Sequence, residues 1–271
     1  MSTAETLIGS RDAGGGQPGT NAPAALRTGD TVADVPHDGY FSVSGLKAYY
    51  GDSYIVQDVS FQMNEGEIVA LLGRNGAGKT STLRAIARAA APELREGEIR
   101  LRGETLHDKA DWQAAAAGIQ LVPEDRRIIQ GLTVQENLDL AVINGERGWE
   151  FERIFDLFPR LKERRKQEGT TLSGGEQQML AIGRALAKDL KLLLLDEPYE
   201  GLAPVVRHDI EEALLQVRAA GITTIIVEQN AVAALKISDR AIILDTGEVA
   251  FRGSAKAVLD DEALRHEYLA I

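Results

Sequence analysis

The residues best suited to chemistry form a glycine-rich loop in the first third of the chain. The loop fits the spacing Gly-x-x-x-x-Gly-Lys-Thr, in which glycines let backbone N–H groups converge on phosphates at the positive end of the following helix. Lys79 can reach the β- and γ-phosphates of a nucleotide, and the Thr80 hydroxyl can ligate Mg²⁺. The predicted phosphate-binding residues are Gly73, Arg74, Asn75, Gly76, Ala77, Gly78, Lys79, Thr80 and Ser81.

A pair of adjacent carboxylates ends an apolar run later in the chain. Leu192–Leu195 is followed directly by Asp196 and Glu197. Because side chains alternate along a strand, we expect the two carboxylates to point to opposite sides. Asp196 would then hold Mg²⁺ and its hydration shell, and Glu197 would orient the attacking water or accept its proton. An acidic strand end is common in isolation, so this assignment depends on the phosphate loop upstream.

A parallel sheet would bring these two motifs together. The apolar run Ile68–Leu72 predicts a buried strand before the loop, and a helix is expected from Lys79 to about Ala90. Strands and helices of this length, in alternation, form parallel α/β sheets, so we predict an α/β fold with a mostly parallel sheet. The alternating segments of the C-terminal half are Leu192–Leu195, Val205–Ala220, Thr223–Val227, Ala231–Ile237 and Ala241–Leu244.

Other segments of the chain predict smaller units. Alternating apolar residues up to Met63 indicate a small antiparallel sheet near the start of the folded region. Residues of about 111–188 are predicted to form a helical insert, with one helix over Trp149–Arg165 and another beginning at Ser173, whose side chain can cap it. Residues 1–38 are rich in Gly, Ala, Thr and Pro and predict a disordered extension before a domain over 39–271.

The composition excludes several classes of function. A formal net charge of -11 disfavours nucleic-acid binding, because phosphate contacts need clustered lysine and arginine. With no cysteine, disulfides and thiolate metal sites are impossible. The sequence has no apolar run approaching the ~18 residues that a membrane-spanning helix needs, and no secretory signal in its first ten residues. We therefore expect a globular protein without a membrane span.

A third motif, Leu172–Gln178, gives the other two a more specific meaning. Its Ser-Gly-Gly opens a helix whose free N-terminal amides could bind a second anion, and two phosphate cradles for one nucleotide imply two chains. With the phosphate loop upstream and Asp196 following, the sequence resembles the ATP-binding cassette (ABC) ATPases. That resemblance implies a P-loop NTPase core with a small antiparallel β subdomain and a helical signature subdomain. It also implies ATP and Mg²⁺ as ligands, and hydrolysis in a head-to-tail dimer.

The resemblance assigns roles to further residues. In the dimer, the signature residues of one subunit close over the γ-phosphate held by the other. Tyr50 matches the aromatic residue that stacks on adenine, and the alternative is an ordinary strand tyrosine. Glu124 stands where most relatives carry a metal-sensing glutamine, and a carboxylate can still ligate the metal. Gln229 replaces the family's switch histidine and can donate a hydrogen bond to the γ-phosphate but cannot become cationic. The signature residues are Ser173, Gly174, Gly175 and Glu176.

Several motifs narrow the resemblance to one branch of the family, the second ATPase subunit of the branched-chain amino-acid importers. Importers of urea and short amides share much of the pattern and stay an alternative. A non-transport ABC ATPase acting on DNA or ribosomes is the alternative from another class, and a regulatory module with little turnover is a further one. The motifs are Val122–Arg127, Phe158–Leu161, Glu176–Leu180 and Val227–Asn230.

The branch implies a set of partners and a location. The second cassette is expected to be a different, related subunit, although a homodimer is also possible. Two transmembrane permease subunits would bind the cassettes, with residues Glu124–Thr133 facing them, and a periplasmic or extracellular binding protein would deliver the substrate. The chain would then be a cytoplasmic protein, peripheral on the inner face of the plasma membrane.

Overall fold

The structure is a computed structural model that describes residues 27–28, 39–143 and 146–269. The strands are β1 (Arg27–Thr28), β2 (Phe41–Tyr50), β3 (Ser53–Met63), β4 (Ile68–Leu72), β5 (Glu93–Leu101), β6 (Glu104–Thr105), β7 (Ile119–Val122), β8 (Leu192–Asp196), β9 (Thr223–Val227), β10 (Arg240–Asp245) and β11 (Glu248–Ser254). The helices are α1 (Lys79–Ile86), α2 (Asp111–Ala116), α3 (Val134–Ala141), α4 (Phe151–Leu157), α5 (Pro159–Glu163), α6 (Gly174–Leu186), α7 (Pro204–Ala219), α8 (Ala231–Ile237), α9 (Ala255–Asp260) and α10 (Glu262–Leu269), with a 3-10 turn at Gly169–Thr171.

The main sheet has seven strands in the order β1-β11-β10-β4-β9-β8-β7. The five strands from β10 to β7 are parallel, and β11 pairs antiparallel with β10. Parallel strands place their carboxyl ends along one edge, so the residues after β4, β8 and β9 meet there. The predicted α/β fold with a mostly parallel sheet is confirmed.

The second sheet is antiparallel and has four strands in the order β3-β2-β5-β6. Strands β2 and β3 form a long hairpin whose register runs from Phe41 opposite Met63 to Tyr50 opposite Ser53. The small antiparallel subdomain predicted from the alternating apolar residues is therefore present.

The main sheet is buried on both faces, which explains why its central strands are continuous apolar runs. Every residue of β4, β8 and β9 is buried. Alternate residues of β4 enter two different cores: Ile68, Ala70 and Leu72 pack with the helices of the C-terminal half, whereas Val69 and Leu71 pack with the antiparallel sheet and α1. The strand before the phosphate loop is therefore held from both sides.

The predicted helical insert differs from the structure at two places. Strand β7 lies inside the predicted range of about 111–188 but pairs with β8, so the helices α3 to α6 begin after this strand of the main sheet. The helix predicted over Trp149–Arg165 is two helices, α4 and α5, because Pro159 occupies the first turn of α5 and cannot continue α4.

Helix α1 ends earlier than the predicted residue, Ala90. Arg88 adopts a left-handed conformation with a φ of 58°, and the N–H of Ala89 donates to the carbonyl of Arg84. The helix therefore ends at Ile86, and an arginine takes the left-handed position that glycine usually occupies. Because no glycine marks this end, the sequence did not predict it.

The predicted extension, residues 1–38, lies outside the described residues apart from the two that form β1. Among the helices in the described part of the chain, we find none with the length and apolar character needed to cross a membrane.

Candidate active site

The loop between β4 and α1 depends on backbone conformations that favour glycine. Gly73 has a φ of 146°, and a Cβ atom there would lie 2.3 Å from the carbonyl oxygen of Leu244. Gly78 has a φ of 95° and precedes α1 without a side-chain cap. Gly76 has a φ of 82° but open space around it, so its conformation, not crowding within the chain, calls for glycine. The first-turn amides of α1 are thus oriented to bind an anion.

Lys79 lies within this loop. Its side chain is buried, and its Nζ donates to the carbonyl oxygens of Gly73 at 2.9 Å and Arg74 at 3.1 Å. Burial lowers the pKa of Lys79, and the charges of Glu197 and Asp196 oppose that shift. The ammonium is therefore held near both carboxylates of the second motif.

The other loop residues are arranged around this lysine. Arg74, Asn75 and Gly76 are exposed, and the Arg74 guanidinium donates to the carbonyl of Glu267 in α10 at 2.8 Å. Ala77 and Gly78 are buried, whereas Thr80 and Ser81 are half-buried at the start of α1. The exposed tip and the buried base give the loop one open side.

Thr80, in the first turn of α1, meets Asp196, the last residue of β8. The Thr80 hydroxyl donates to Asp196 Oδ1 at 2.8 Å. Burial raises the pKa of the Asp196 carboxyl, while the hydrogen bond from Thr80 and the charges of Arg84 and Lys79 lower it. A hydroxyl and a carboxylate are hard oxygen ligands of the kind that Mg²⁺ prefers, so the pair fits the predicted metal site.

Glu197 leaves the strand that carries Asp196. Its φ is 51°, and its N–H donates to the carbonyl of Val227 on β9 at 2.9 Å. From the sequence we expected strand alternation to set the direction of the Glu197 side chain. The structure differs, because Glu197 adopts a left-handed conformation and its backbone is held by the neighbouring strand. The Glu197 carboxylate accepts a 2.8 Å hydrogen bond from Gln229 Nε2. Burial raises the pKa of Glu197, and the bond from Gln229 opposes that shift.

Glu124 lies beside Glu197 and Glu200, with carboxylate oxygens of all three within 4.8 Å of one another. A hydrogen bond with the Glu200 side chain, together with burial, raises the pKa of the Glu124 carboxyl. Nothing in the sequence indicated that Glu200 joins this cluster. The role of Glu124 as a metal ligand stays a prediction.

The signature motif forms the predicted helix start. The Ser173 side chain caps α6, and its N–H and hydroxyl both donate to Glu176 Oε2, at 2.9 and 2.7 Å. Glu176 Oε1 also lies 2.6 Å from Arg164 Nε. Burial alone would raise the pKa of Glu176, but the bonds from Ser173 and the ion pair with Arg164 lower it below its usual range. The Glu176 carboxylate is therefore used within the helix start, and its predicted contact with nucleotide stays a prediction.

The two glycines of the signature have different neighbours. A Cβ atom at Gly175 would lie 2.2 Å from Val206 Cγ1 on α7, so only glycine fits the packing there. A Cβ atom at Gly174 would lie 3.1 Å from Arg126 Nη1. The start of α6 is therefore packed against α7 on one side and close to a guanidinium on the other.

Helix α6 also holds the loop that follows Glu124. Arg126 Nε donates to Gln178 Oε1 at 3.2 Å, and Arg184 donates to the carbonyl of Arg127. Arg126 and Arg127 have left-handed conformations, with φ of 58° and 45°. Sequence reasoning assigned Arg126 no separate contact, because nothing in a charged tract indicates which guanidinium faces a helix 52 residues later.

Tyr50 ends strand β2 with 38% of its surface exposed. The ring of its neighbour Tyr49 already has contacts on the protein, since it stacks on Tyr54 with ring centroids 4.6 Å apart and lies under Arg95. The free ring face of Tyr50 suits stacking on a planar base, and that role stays a prediction.

Glu228 is a buried carboxyl group that sequence reasoning missed. It is 4% exposed at the end of β9, and burial raises its pKa to about 7. Its Oε1 accepts the N–H of Tyr199 at 2.7 Å. A glutamate between an apolar strand and a glutamine gives no signal in the sequence, because its partner is 29 residues away.

The signature and the phosphate loop do not meet within one chain. Over residues 39–143 and 146–269, we find no hydrogen bond or ion pair between Ser173–Glu176 and the loop of residues 73–81. The phosphate loop lies with Asp196, Glu197 and Gln229, whereas the signature helix contacts the segment after Glu124. Within the described part of the chain, the two motifs therefore form separate groups.

Comparison with known sequences gives one consistent family. The family model described as "ABC transporter" matches residues 56–200. The branched-chain amino acid transport ATP-binding protein BraG of Pseudomonas aeruginosa is 42% identical, over 84% of this chain and 98% of its own length. A probable LivF of Archaeoglobus fulgidus is 35% identical, over 80% of this chain and 93% of its own. The lipopolysaccharide export protein LptB of Escherichia coli K12 is 34% identical, over 82% and 93%.

Solved structures agree with the sequence comparison. A dimeric bacterial ABC transporter cassette superposes with a TM-score of 0.70 at 26% identity, covering 79% of this chain and 98% of its own.

Proposed function

The chain belongs to the ABC transporter family as an ATP-binding and ATP-hydrolysing subunit, and from that premise we propose that it powers an importer of branched-chain amino acids. The proposal combines a hydrolytic site that this chain supplies with a cargo suggested by its relatives. Each part has its own support and its own test.

The observation that carries the hydrolytic part is the placement of Glu197. Its carboxylate lies at the carboxyl edge of the sheet, next to the Thr80 and Asp196 pair, and is held by the Gln229 amide. Burial raises the pKa of Glu197, which makes it a better proton acceptor than an exposed carboxylate once it is ionised. A carboxylate in this position suits the activation of water beside a bound triphosphate.

In the proposed reaction, each residue has a separate task. The first-turn amides of α1 and the Lys79 ammonium bind the β- and γ-phosphates, and Tyr50 stacks on the adenine. Mg²⁺, held by Thr80 and Asp196 with Glu124 nearby, would neutralise charge on the phosphates. Glu197 orients the attacking water and accepts its proton. Gln229 holds Glu197 in place and donates a hydrogen bond toward the γ-phosphate.

The separation of the two cradles supports a two-chain site. Ser173 and the following glycines present helix N–H groups, yet within the described residues they do not reach the phosphate loop of their own chain. We infer that they close over ATP held by a second cassette, as two cassettes pair head to tail. A different, related subunit is the expected partner, and a second copy of this chain is the other option.

The loop Glu124–Thr133 suits contact with membrane subunits. It begins at the carboxylate cluster of Glu197 and Glu200 and is pinned to the signature helix through Arg126 and Arg184. A permease pressing on this loop would therefore act on the nucleotide site and the signature together. We propose that transmembrane permeases dock here, with the chain peripheral on the inner face of the plasma membrane, and that a binding protein delivers the substrate to them.

The choice of cargo rests on the relatives. The branched-chain amino acid transport proteins BraG and LivF are the more similar of those described above, which favours this cargo. The resemblance to urea and short-amide importers keeps that cargo as the alternative. The LptB relatives make lipopolysaccharide export a third candidate function. The subunits identified in the experiment described next would reveal it.

The test starts with the complex that the chain forms in its own cell. The full chain is tagged, the complex is extracted from membranes, and its subunits are identified and reconstituted in liposomes. We expect two permeases, a second cassette, and ATP hydrolysis that leucine, isoleucine or valine stimulates in the presence of the binding protein. Stimulation only by urea or acetamide would reject the cargo, and recovery with ribosomes or DNA without permeases would reject the transport function.

A further inference from the structure

Glu228 joins two segments that the mechanism uses. Its buried carboxylate accepts the N–H of Tyr199 at 2.7 Å, and the backbone N–H groups of Asn230 and Gln229 also act to lower its pKa. A carboxylate has about four lone-pair sites, so one group can satisfy donors from both segments at once. The Glu228 carboxylate therefore links the segment after β8 to the segment after β9.

These contacts form a closed circuit around the proposed base. Tyr199 follows Glu197 by two residues, and its N–H is fixed by Glu228. Glu228 directly precedes Gln229 in the chain, and the Gln229 side chain donates to Glu197 at 2.8 Å. Each member of the circuit holds the next, so a shift of any one moves the Gln229 amide relative to the Glu197 carboxylate.

The surroundings of Glu228 indicate that this arrangement is costly to keep. Tyr199 is 3% exposed, and its hydroxyl has no hydrogen-bond partner among the residues that the structure describes. Burying a carboxyl group costs free energy unless hydrogen bonds compensate, and an apolar residue at position 228 would avoid that cost. What the carboxylate adds is the fixed geometry of the two segments.

We propose that Glu228 is a positioning residue for ATP hydrolysis, which locks the loop of Tyr199 to Pro204 and the backbone of Gln229 together so that the Gln229 amide stays against Glu197. The inference rests on the proposed function of Glu197.

The test is a double-mutant cycle in the purified complex. Glu228→Ala is expected to lower kcat about tenfold to a hundredfold, the cost of a small misplacement of a catalytic group, with the dissociation constant for ATP changed less than about twofold. In a Gln229→Ala background, the same change should alter kcat by less than about twofold, because the group that Glu228 positions is already missing.

A matched control separates positioning from stability. Glu67 is also a buried glutamate that fixes backbone, since it accepts the N–H of Asn64, but it precedes β4 at the opposite end of the sheet. Glu67→Ala should lower the melting temperature without changing kcat. Glu228→Gln keeps the volume and one acceptor oxygen, and its kcat should be severalfold lower than that of the wild type. This variant replaces Glu228→Ala in the test if the alanine variant does not fold.

Two results would overturn the inference. One is an unchanged kcat in both Glu228 variants, and the other is an equal fall in kcat with and without Gln229. Neither result would affect the proposed hydrolysis, which is tested separately by turnover in the complex with the unchanged chain and by the Glu197→Gln variant.

Discussion

The Gln229 amide donates a 2.8 Å hydrogen bond to the Glu197 carboxylate across the ends of β8 and β9. A neutral amide therefore occupies the place where the resembled family carries a histidine. Because the amide cannot become cationic, its contribution is orientation of the carboxylate and one donated bond.

A first prediction concerns this amide. Gln229→Ala should lower kcat for ATP about tenfold or more, because Glu197 loses the donor that fixes its position, while ATP affinity stays within about twofold. Turnover and binding are measured separately, by phosphate release and by titration calorimetry. Gln216→Ala, at an exposed position on α7, is the matched control. If kcat stays unchanged, γ-phosphate sensing lies with another residue.

A second prediction concerns the metal pair. Thr80→Val keeps the volume but removes the hydroxyl, so ATP affinity in Mg²⁺ should fall about tenfold or more, whereas affinity in EDTA should not change. Titrations with and without Mg²⁺ check this, with Thr105→Val on β6 as the control. An equal loss under both conditions would show that Thr80 acts on the nucleotide and not through the metal.

A third prediction concerns the packing of the signature helix. Gly175→Ala should lower the free energy of unfolding by about 1–3 kcal/mol, because its Cβ overlaps Val206, a β-branched residue with little rotamer freedom in α7. Val206→Ala in the same chain should restore most of the loss. Urea denaturation measures both. Wild-type stability in the single variant, or no recovery in the double variant, contradicts the contact.

A fourth prediction follows from the pKa of Glu228, raised by burial from 4.5 to about 7. Between these values the folded protein binds more protons than the unfolded one, so this group makes the free energy of unfolding fall as pH rises. Glu228→Gln does not titrate. The stability of the variant relative to wild type should therefore rise by about 3 kcal/mol from pH 5 to pH 8.

The measurement is urea denaturation at each pH, with Glu248→Gln, at an exposed position, as the control. Parallel curves for wild type and Glu228→Gln across this range would show that the carboxyl group is not strongly shifted by burial.

Much of the fold could be predicted because its signals are local. Ile68–Leu72, Thr223–Val227 and Ala231–Ile237 have the predicted bounds, since continuous apolar runs and helical periodicity need only neighbouring residues. The proximity of Thr80 and Asp196 could also be expected, because the loop after β4 and the end of β8 lie at the same carboxyl edge of a parallel sheet.

The rest depends on contacts between distant segments. The left-handed backbone of Glu197 is held by Val227, and the bond between Glu228 and Tyr199 joins the segments that follow β9 and β8, which are distant in the sequence. Likewise, the turn at Arg88 uses a residue type that rarely takes its conformation. Patterns along the chain contain no information on such partners.

The central claim is that this chain hydrolyses ATP with Glu197 as the group that activates water. Glu197→Gln keeps the volume and the contact with Gln229 but removes the proton acceptor, so turnover in the purified complex should fall about a hundredfold or more. ATP binding should persist and hold the two cassettes in a closed dimer, visible by size-exclusion chromatography in ATP. A variant that turns over ATP at the wild-type rate would contradict the claim.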